Sequence, residues 1–487
     1  MCGKLCFFIA VMCLAKGAVF DRSELSCQKN IYPYTGTKTA YYYAHYETGD
    51  TMTLEDCQPV QIWMLNTGGM RYPSESNIAR IQNLTHIRDL ILAGNGTCAK
   101  FHERTDLKNW KPCPEMAVGK GKHLALQGEK DLESLATRIK EKLPGLFKTN
   151  ATNYYKFRST ASQHTIASME SFMKGVLDYS PEILPTNGAS PQFESMNVQK
   201  TITKSSQRDF SNTSIKLEVV PIVNDILLKP YDICVSWKNE RKKYKEMHAF
   251  LNGPEMMTVL ANIGQRLGLP ISREDARLFY NACRFEKALH PDKPSPWCDV
   301  FTHGEMRIFE YVEDLLFYYD VGPGQKLSGE LGCHLVQDML DHFAKLEELE
   351  EPDDEPMGVF YFAHSYMMSL FLTTMGIAKD PRPITPANFL DMSERNWRVS
   401  QLVPSAANFA AIFHRCESSD DAFNYDYAFN DDYANDVSFK VTFYLNENPE
   451  ILEGCSVNGV CDWAQLKKQL AAIAANCSAE ACKKVAN

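Results

Sequence analysis

An α/β core carrying an α-helical insertion is the fold predicted by this 487-residue sequence. Apolar strands alternate with amphipathic helices at both ends of the chain, and its middle, over about 237–269 and 273–283, is helical in pattern. Hydrophobic residues make up 44% and aromatic residues 11% of the chain, which suits a large buried core and argues against disorder.

Taken in order, residues 1–17 read as a secretory signal peptide. Lys4 supplies the positive start, residues 5–14 the apolar run, and Ala15, Gly17 and Ala18 the small residues of a cleavage site. The run is too short to span a bilayer, and no later stretch reaches roughly eighteen apolar residues. Secretion without stable membrane insertion is expected; the tail carries no retention tetrapeptide that would hold the chain in the secretory lumen. Residues 18–487 are then expected to form one domain. Its α/β core would take roughly 18–100, 150–235 and 330–487, and its helical insertion roughly 100–150 and 236–330.

Residues 60–65 are an apolar strand. A helix is expected over about 76–90, with Ser76 as N-cap and Ile78, Ile81, Leu84 and Ile87 on one face. A second helix spans 131–143, with Leu132, Leu135, Ile139 and Leu143 on one stripe. A strand ends at Thr160, and a helix follows over 165–177. The helical middle covers about 237–269 and 273–283. Leu335, Met339, Phe343 and Leu346 mark a long helix before an acidic loop. Residues 359–363 form a buried strand that ends at His364. Strands at 408–414 and 437–445 and a helix carrying Trp463, Leu466, Leu470 and Ile473 close the chain. In open α/β sheets the ligand sits beyond the carboxyl ends of the strands, so the loops after Leu65, Thr160 and Ala363 are expected to converge on one pocket.

The net charge of −10 disfavours nucleic acid as a partner but leaves room for a local basic pocket that captures a small polyanion. Two basic stretches stand out: Lys238, Arg241, Lys242, Lys243 and Lys245, and the loop with Lys120, Lys122 and His123. The default for both is a solvated face. The 12 histidines show no metal-ligand spacing and no nucleotide loop is present, so neither metal nor cofactor is expected. Of the 16 cysteines, Cys2, Cys6 and Cys13 lie in the signal segment, leaving 13. Scattered cysteines in an exported chain read as disulfides. Cys455 with Cys461 and Cys283 with Cys298 are the nearest candidates, and an odd number leaves at least one thiol unpaired within the chain. Asn83, Asn95, Asn150, Asn212 and Asn476 are possible glycosylation points.

The segment Leu65-Asn66-Thr67-Gly68-Gly69-Met70-Arg71-Tyr72-Pro73 carries the functional signal. It follows a strand and precedes a helix, and Gly69, Arg71 and Pro73 fit the Arg-His-Gly-x-Arg-x-Pro phosphate loop of the histidine acid phosphatases. Further on, Asn281-Ala282-Cys283, residues 291–298, Tyr311-Val312-Glu313-Asp314-Leu315, Cys333-His334-Leu335, residues 403–408 and Leu445-Asn446-Glu447 match in the right order. On these stretches the chain resembles the multiple inositol polyphosphate phosphatase branch of that family, from about Cys57 to Cys461. The resemblance implies a phosphoglycerate-mutase-like three-layer α/β core with a helical domain over the pocket. It also implies metal-free removal of phosphate from inositol polyphosphates such as phytate.

Carried over one position at a time, the resemblance places the first phosphate-binding Arg on Thr67 and the nucleophilic His on Gly68. The second Arg is kept as Arg71. The third, placed by Ser168, Phe172 and Gly175, falls on His164. The late phosphate-binding His is kept as His364, and the proton donor falls on Tyr366. Covalent phosphoryl transfer needs a nucleophile, paired cationic donors and an acid. Four of these six positions are changed, so no catalytic residue is intact. Arg71, His364 and His164 are the candidate phosphate-binding groups, with phosphate or inositol polyphosphate as the ligand class. The expectation is a secreted pseudophosphatase that keeps the fold. Its alternatives are an active phosphomonoesterase using His164 or His364 as nucleophile, and a non-catalytic interaction protein whose partner the sequence does not name.

Overall fold

The computed structural model describes residues 32–45, 52–93, 106–147, 154–177, 198–204, 213–221, 225–240, 244–348, 355–417, 437–475, 477 and 482. Its centre is a nine-stranded sheet. The strands are β1 (Cys57–Thr67), β2 (Tyr154–Thr160), β3 (Val198–Lys204), β4 (Thr213–Val220), β5 (Gly358–Ala363), β6 (Asn408–Glu417), β7 (Val437–Leu445), β8 (Asn448–Glu450) and β9 (Val460–Asp462). They run in the order β3-β4-β2-β5-β1-β6-β7-β8, with β9 also paired to β7. The four central strands β4, β2, β5 and β1 are parallel, and β3 and β6–β9 add antiparallel flanks.

The longer helices are α1 (Glu75–Gln82), α2 (Leu84–Ala93), α3 (Leu126–Lys142), α4 (Gln163–Leu177), α5 (Pro254–Leu267), α6 (Arg273–Leu289), α7 (His303–Val321), α8 (Cys333–Glu348), α9 (Ser365–Thr374) and α10 (Trp463–Ala474). Alternation along the strands builds the layers, because successive side chains leave opposite faces of a sheet. Ile62, Met64, Phe157, Phe360, Phe362 and Ile412 pack with Leu132, Leu135 and Ile139 of α3 and with Met169 and Phe172 of α4. Trp63, Leu65, Val359, Tyr361, Phe409 and Phe413 face the other way, onto α8, α9 and α10. This gives the expected three layers. A separate apolar cluster holds α1, α2, α5 and α6 together, and α7 joins it to the sheet through Met306 and Phe309 at one end and Tyr311 and Leu315 at the other.

Several expectations change in detail. The helix expected over 76–90 is two helices broken at Asn83, and Ser74 rather than Ser76 caps it, accepting from the Asn77 amide. The helix expected at 131–143 begins at Leu126. It packs on α4 and the sheet, so this part of the expected 100–150 insertion belongs to a layer of the core. The stripe of Leu132, Leu135, Ala136 and Ile139 is what the sheet buries.

Among the described residues five disulfides are present: Cys57–Cys416, Cys234–Cys482, Cys283–Cys298, Cys333–Cys477 and Cys455–Cys461. Both expected pairs are among them. Cys113 is the unpaired cysteine among the described residues. Asn83 is exposed at the end of α1; Asn95, Asn150, Asn212 and Asn476, and the basic residues Arg241, Lys242 and Lys243, lie outside the described residues. Among the described residues, no helix is long and apolar enough to cross a membrane.

Candidate functional site

The parallel register brings three strand ends to one edge. Thr67 of β1 pairs with Ala363 of β5, and Ser159 of β2 with Phe362 of β5. The segments that follow close a pocket lined by Thr67, Gly68, Gly69, Met70, Arg71, His164, His364 and Ser365, with Thr37, Lys38, Pro404 and Ser405 completing the wall. The cavity is about 70 Å³, room for roughly five waters or one phosphate group. The three expected loops do converge. Thr67, Gly68, Arg71, His164 and His364 all line it.

Backbone contacts hold the loop 67–71 rigidly. The Thr67 amide donates to the Ala407 carbonyl at 2.7 Å, the Gly68 amide to Ala363 at 3.2 Å, and the Ala406 amide to the Gly68 carbonyl at 3.2 Å. The Gly69 amide donates to Ser168 Oγ at 3.0 Å, and that hydroxyl donates in turn to the His164 carbonyl. Gly69 also lies against α3: a Cβ on it would sit 2.6 Å from the Gly128 carbonyl oxygen, and a Cβ on Gly128 would strike the Met70 backbone. Glycine at both positions is what lets the loop touch the helix.

Gly68 stands where the resemblance places the nucleophile. A Cβ built there would lie 2.7 Å from His164 Cδ2 and 3.5 Å from His164 Nε2. The imidazole of His164, second residue of α4, therefore fills the space left by the missing side chain. His364 packs edge-on against it, with ring centroids 4.9 Å apart. Burial takes the His164 ring well below its ordinary pKa, and His364, Arg71, Lys38 and Lys229 add to the shift. Burial, then Lys229 and Arg71, push His364 down to about 3. Both rings are neutral in mildly acidic and neutral solution.

Arg71 is half-buried in the wall, and burial lowers its pKa. Among the described residues no carboxylate or other side chain pairs with its guanidinium. Lys38 also lines the pocket, its Nζ donating to Thr37 Oγ1 at 3.1 Å. Gly36, at φ 58°, carries the turn 36–38 over Glu313, and Thr37 Oγ1 donates to Glu313 Oε1 at 2.6 Å. Glu313 also accepts from Arg284 Nη1 at 2.7 Å. Burial pushes the Lys38 ammonium down to about 7; Arg71 lowers it further and Glu313 opposes the shift. Among the described residues, three buried polar atoms of the lining have no hydrogen-bond partner: Thr67 Oγ1, Ser405 Oγ and His364 Nδ1. Two helix N-termini, those of α4 and α9, start at the pocket wall, where unpaired amides and the helix dipole favour an anion.

Tyr366 does not join the lining. Its hydroxyl donates to Asp320 Oδ2 at 2.6 Å, and its ring packs on Phe317 and Tyr231. The α9 backbone directs it into the layer beneath the pocket, so the expected occupant of the proton-donor position sits elsewhere. No Asp or Glu is among the lining residues. Lys38, Thr37 and Ser405 were missed by sequence reasoning. Ser405 lies inside the matching stretch 403–408, which was a usable signal; Lys38 had none. Of the basic stretches, Lys120 and Lys122 are exposed and outside the lining, and Lys238 donates to the Asp232 carbonyl.

The profile of the Histidine phosphatase superfamily (branch 2) matches residues 69–428. The chain is 30% identical over 463 residues to Multiple inositol polyphosphate phosphatase 1 of Drosophila melanogaster, covering 92% of this chain and 87% of that protein. To Multiple inositol polyphosphate phosphatase 1 of Homo sapiens it is 27% identical, covering 89% of each. Among solved structures, the phytase from D. castellii aligns at a TM-score of 0.67 and 17% identity, covering 95% of this chain and 89% of that one. The Bifidobacterium longum Multiple Inositol Polyphosphate Phosphatase in complex with inositol hexasulfate aligns at 0.61 and 15%, covering 91% and 98%. Those two likenesses speak for the fold, and the profile and sequence matches speak for descent. The profile match over residues 69–428 and the 30% identity across most of both chains show the family: the chain belongs to branch 2 of the histidine phosphatase superfamily.

Proposed function

We propose that this chain is a secreted, inositol-polyphosphate-phosphatase-like protein that binds a phosphate group, free or on an inositol polyphosphate, and does not hydrolyse it. The observation that carries this reading is His164 lodged in the space above Gly68 beside an Arg71 that has no carboxylate partner among the described residues. The cationic wall suits a phosphate: Arg71 offers a planar fork of donors, Lys38 a point charge, and Thr67 and Ser405 hydroxyls with nothing else to bond. The names of similar proteins point to the same ligand class, since a Bifidobacterium longum relative is described in complex with phosphate as well as with inositol hexasulfate.

Turnover lacks support on two counts. Among the described residues the pocket lining contains no carboxylate to protonate a leaving oxygen. Gly68 supplies no nucleophile, and loss of a covalent nucleophile costs on the order of 10⁶ in a well-studied serine protease. Five disulfides fit an oxidising compartment, in keeping with the signal-like start and with glycan attachment at Asn83.

One observation favours a second reading, an active enzyme with His164 as nucleophile: its ring is neutral and occupies the family nucleophile's space. Against it, no hydrogen bond orients that ring among the described residues, and a displaced nitrogen loses in-line geometry. Phosphate release from phytate and an aryl phosphate, across acid to neutral pH, separates the two. The comparison is with a variant carrying Thr67→Arg, Gly68→His, His164→Arg and Tyr366→Glu. Silence from the natural chain with turnover in the variant supports the first reading. Turnover by the natural chain that disappears in His164→Ala establishes the second.

A further inference from the structure

Away from the pocket, three metal-binding side chains converge from distant parts of the sequence. Cys113 Sγ lies 3.6 Å from His290 Nε2, and that nitrogen lies 3.9 Å from Glu115 Oε2. All three donor atoms fall within 4.8 Å of one another. We propose that Cys113, Glu115 and His290 form a zinc site that clamps the loop 106–124 to the end of α6.

The spacing fits. Bonds of about 2.3 Å to sulfur and about 2.1 Å to nitrogen, set tetrahedrally, place those ligands roughly 3.6 Å apart. Nitrogen and oxygen ligands stand roughly 3.4 Å apart in the same geometry. The sulfur–nitrogen pair is already there. Glu115 is exposed and has about half an ångström to close on His290 and up to about 1.2 Å on Cys113, a rotation of an exposed side chain. Thiolate, imidazole and carboxylate together suit zinc better than calcium or magnesium, which take oxygen ligands, and a water would fill the fourth position.

Both halves of the site are held before any ion arrives. The disulfide Cys283–Cys298 closes the loop that carries His290. The His290 amide donates to Glu286, and the Lys293 amide to the His290 carbonyl. On the other side, Trp110 Nε1 donates to Glu286 at 2.8 Å and its ring meets Trp297 edge-on at 5.1 Å. Gln82 holds the Met116 carbonyl, and the Met116 amide donates to Cys113. Burial, with Glu115 and Glu286 nearby, holds the Cys113 thiol protonated above its ordinary range. Zinc binding would therefore release that proton, since the thiolate is the ligand. The clamped loop has a direct bearing on the pocket, because its far end pairs Leu124 with Arg71.

The test titrates the purified, disulfide-intact chain with cobalt(II) as a spectroscopic stand-in, then with zinc. One equivalent should produce a thiolate-to-cobalt charge-transfer band that zinc abolishes, and Cys113→Ser and His290→Gln should each lose it while melting as cooperatively as the parent without metal. In the unaltered chain, zinc should also protect Cys113 from alkylation, read by peptide mass spectrometry, which keeps the test decisive if a variant misfolds. Absence of the band, its persistence in Cys113→Ser, or a peptide map showing Cys113 in a disulfide each overturns the proposal. None of these outcomes depends on whether the phosphate pocket is active.

Discussion

The imidazole of His164 lies 2.7 Å, at Cδ2, from the point where a side chain on Gly68 would begin. The two positions share one volume, so a histidine placed at 68 and His164 exclude each other. Gly68→His alone should therefore overpack the site and destabilise the fold by about 1–3 kcal/mol. Combined with His164→Ala, most of that loss should vanish. A double-mutant cycle by thermal or urea unfolding should return a coupling of about 0.5–3 kcal/mol. Additive effects would show that the rings do not compete for space.

Anion binding should weaken as pH rises through about 7. Lys38 is pushed down to about 7, so its charge is present below that value and lost above it. Inositol hexasulfate is the suitable probe because it does not titrate in this range. Its affinity, measured by calorimetry, should fall about ten-fold between pH 6 and pH 9, the scale of one charge-assisted hydrogen bond. Lys38→Met should be weak throughout and flat with pH. A pH-independent natural chain would remove Lys38 from the site.

Acid stability should report on histidines held neutral. Burial, helped by Lys440, brings His414 in β6 down to about 4; its Nε2 meets Thr442 Oγ1 at 3.0 Å and its Nδ1 has no partner. Between the unfolded value near 6.5 and about 4, the unfolded chain binds a proton that the folded chain does not. Stability therefore rises with pH across that window and is lost as pH falls through it. His414→Phe lies away from the pocket and should flatten this limb of the stability curve without changing hexasulfate affinity at neutral pH.

Arg71 should matter for binding and not for folding. No carboxylate pairs with it among the described residues, so Arg71→Met removes a partly desolvated charge without orphaning another. The unfolding midpoint should hold or rise, while anion affinity falls by about ten-fold or more. A large loss of stability would mean that Arg71 is a structural ion-pair residue after all.

What the sequence revealed and what it hid follow from the physics of each element. Strands β1 and β5 were legible because central parallel strands are apolar on both faces; β2, where Lys156 and Arg158 alternate with Tyr155 and Phe157, was legible only at its end. The period of Ile78, Ile81, Leu84 and Ile87 was legible too, but an apolar period runs straight through the break at Asn83 and cannot mark it. Strand β4 went unread although Ile215, Leu217 and Val219 alternate into the core, and α7 went unread despite its Thr302–Glu305 capping box. At the site, loop residues following strand ends were found by position. Lys38 was not, because it arrives along an irregular segment and owes its place to Gly36 and Glu313. Tyr366 was placed in the pocket by position alone; only the side-chain direction reveals Asp320 as its partner. Cys113 and His290 are 177 residues apart, beyond any local motif.

The backbone contact of Gly69 with Gly128 has a bearing on how such a chain changes over time. The shape of the loop 67–71 is set by a helix lying against it from behind, not by the Thr67 side chain that faces the cavity. The Thr67 hydroxyl makes no hydrogen bond among the described residues, so drift can rewrite that group, and position 68 together with His164, while the scaffold stays intact. Inherited architecture and inherited chemistry become separately heritable traits. Similarity measured along the whole chain follows the first, and only the few atoms facing the cavity speak for the second.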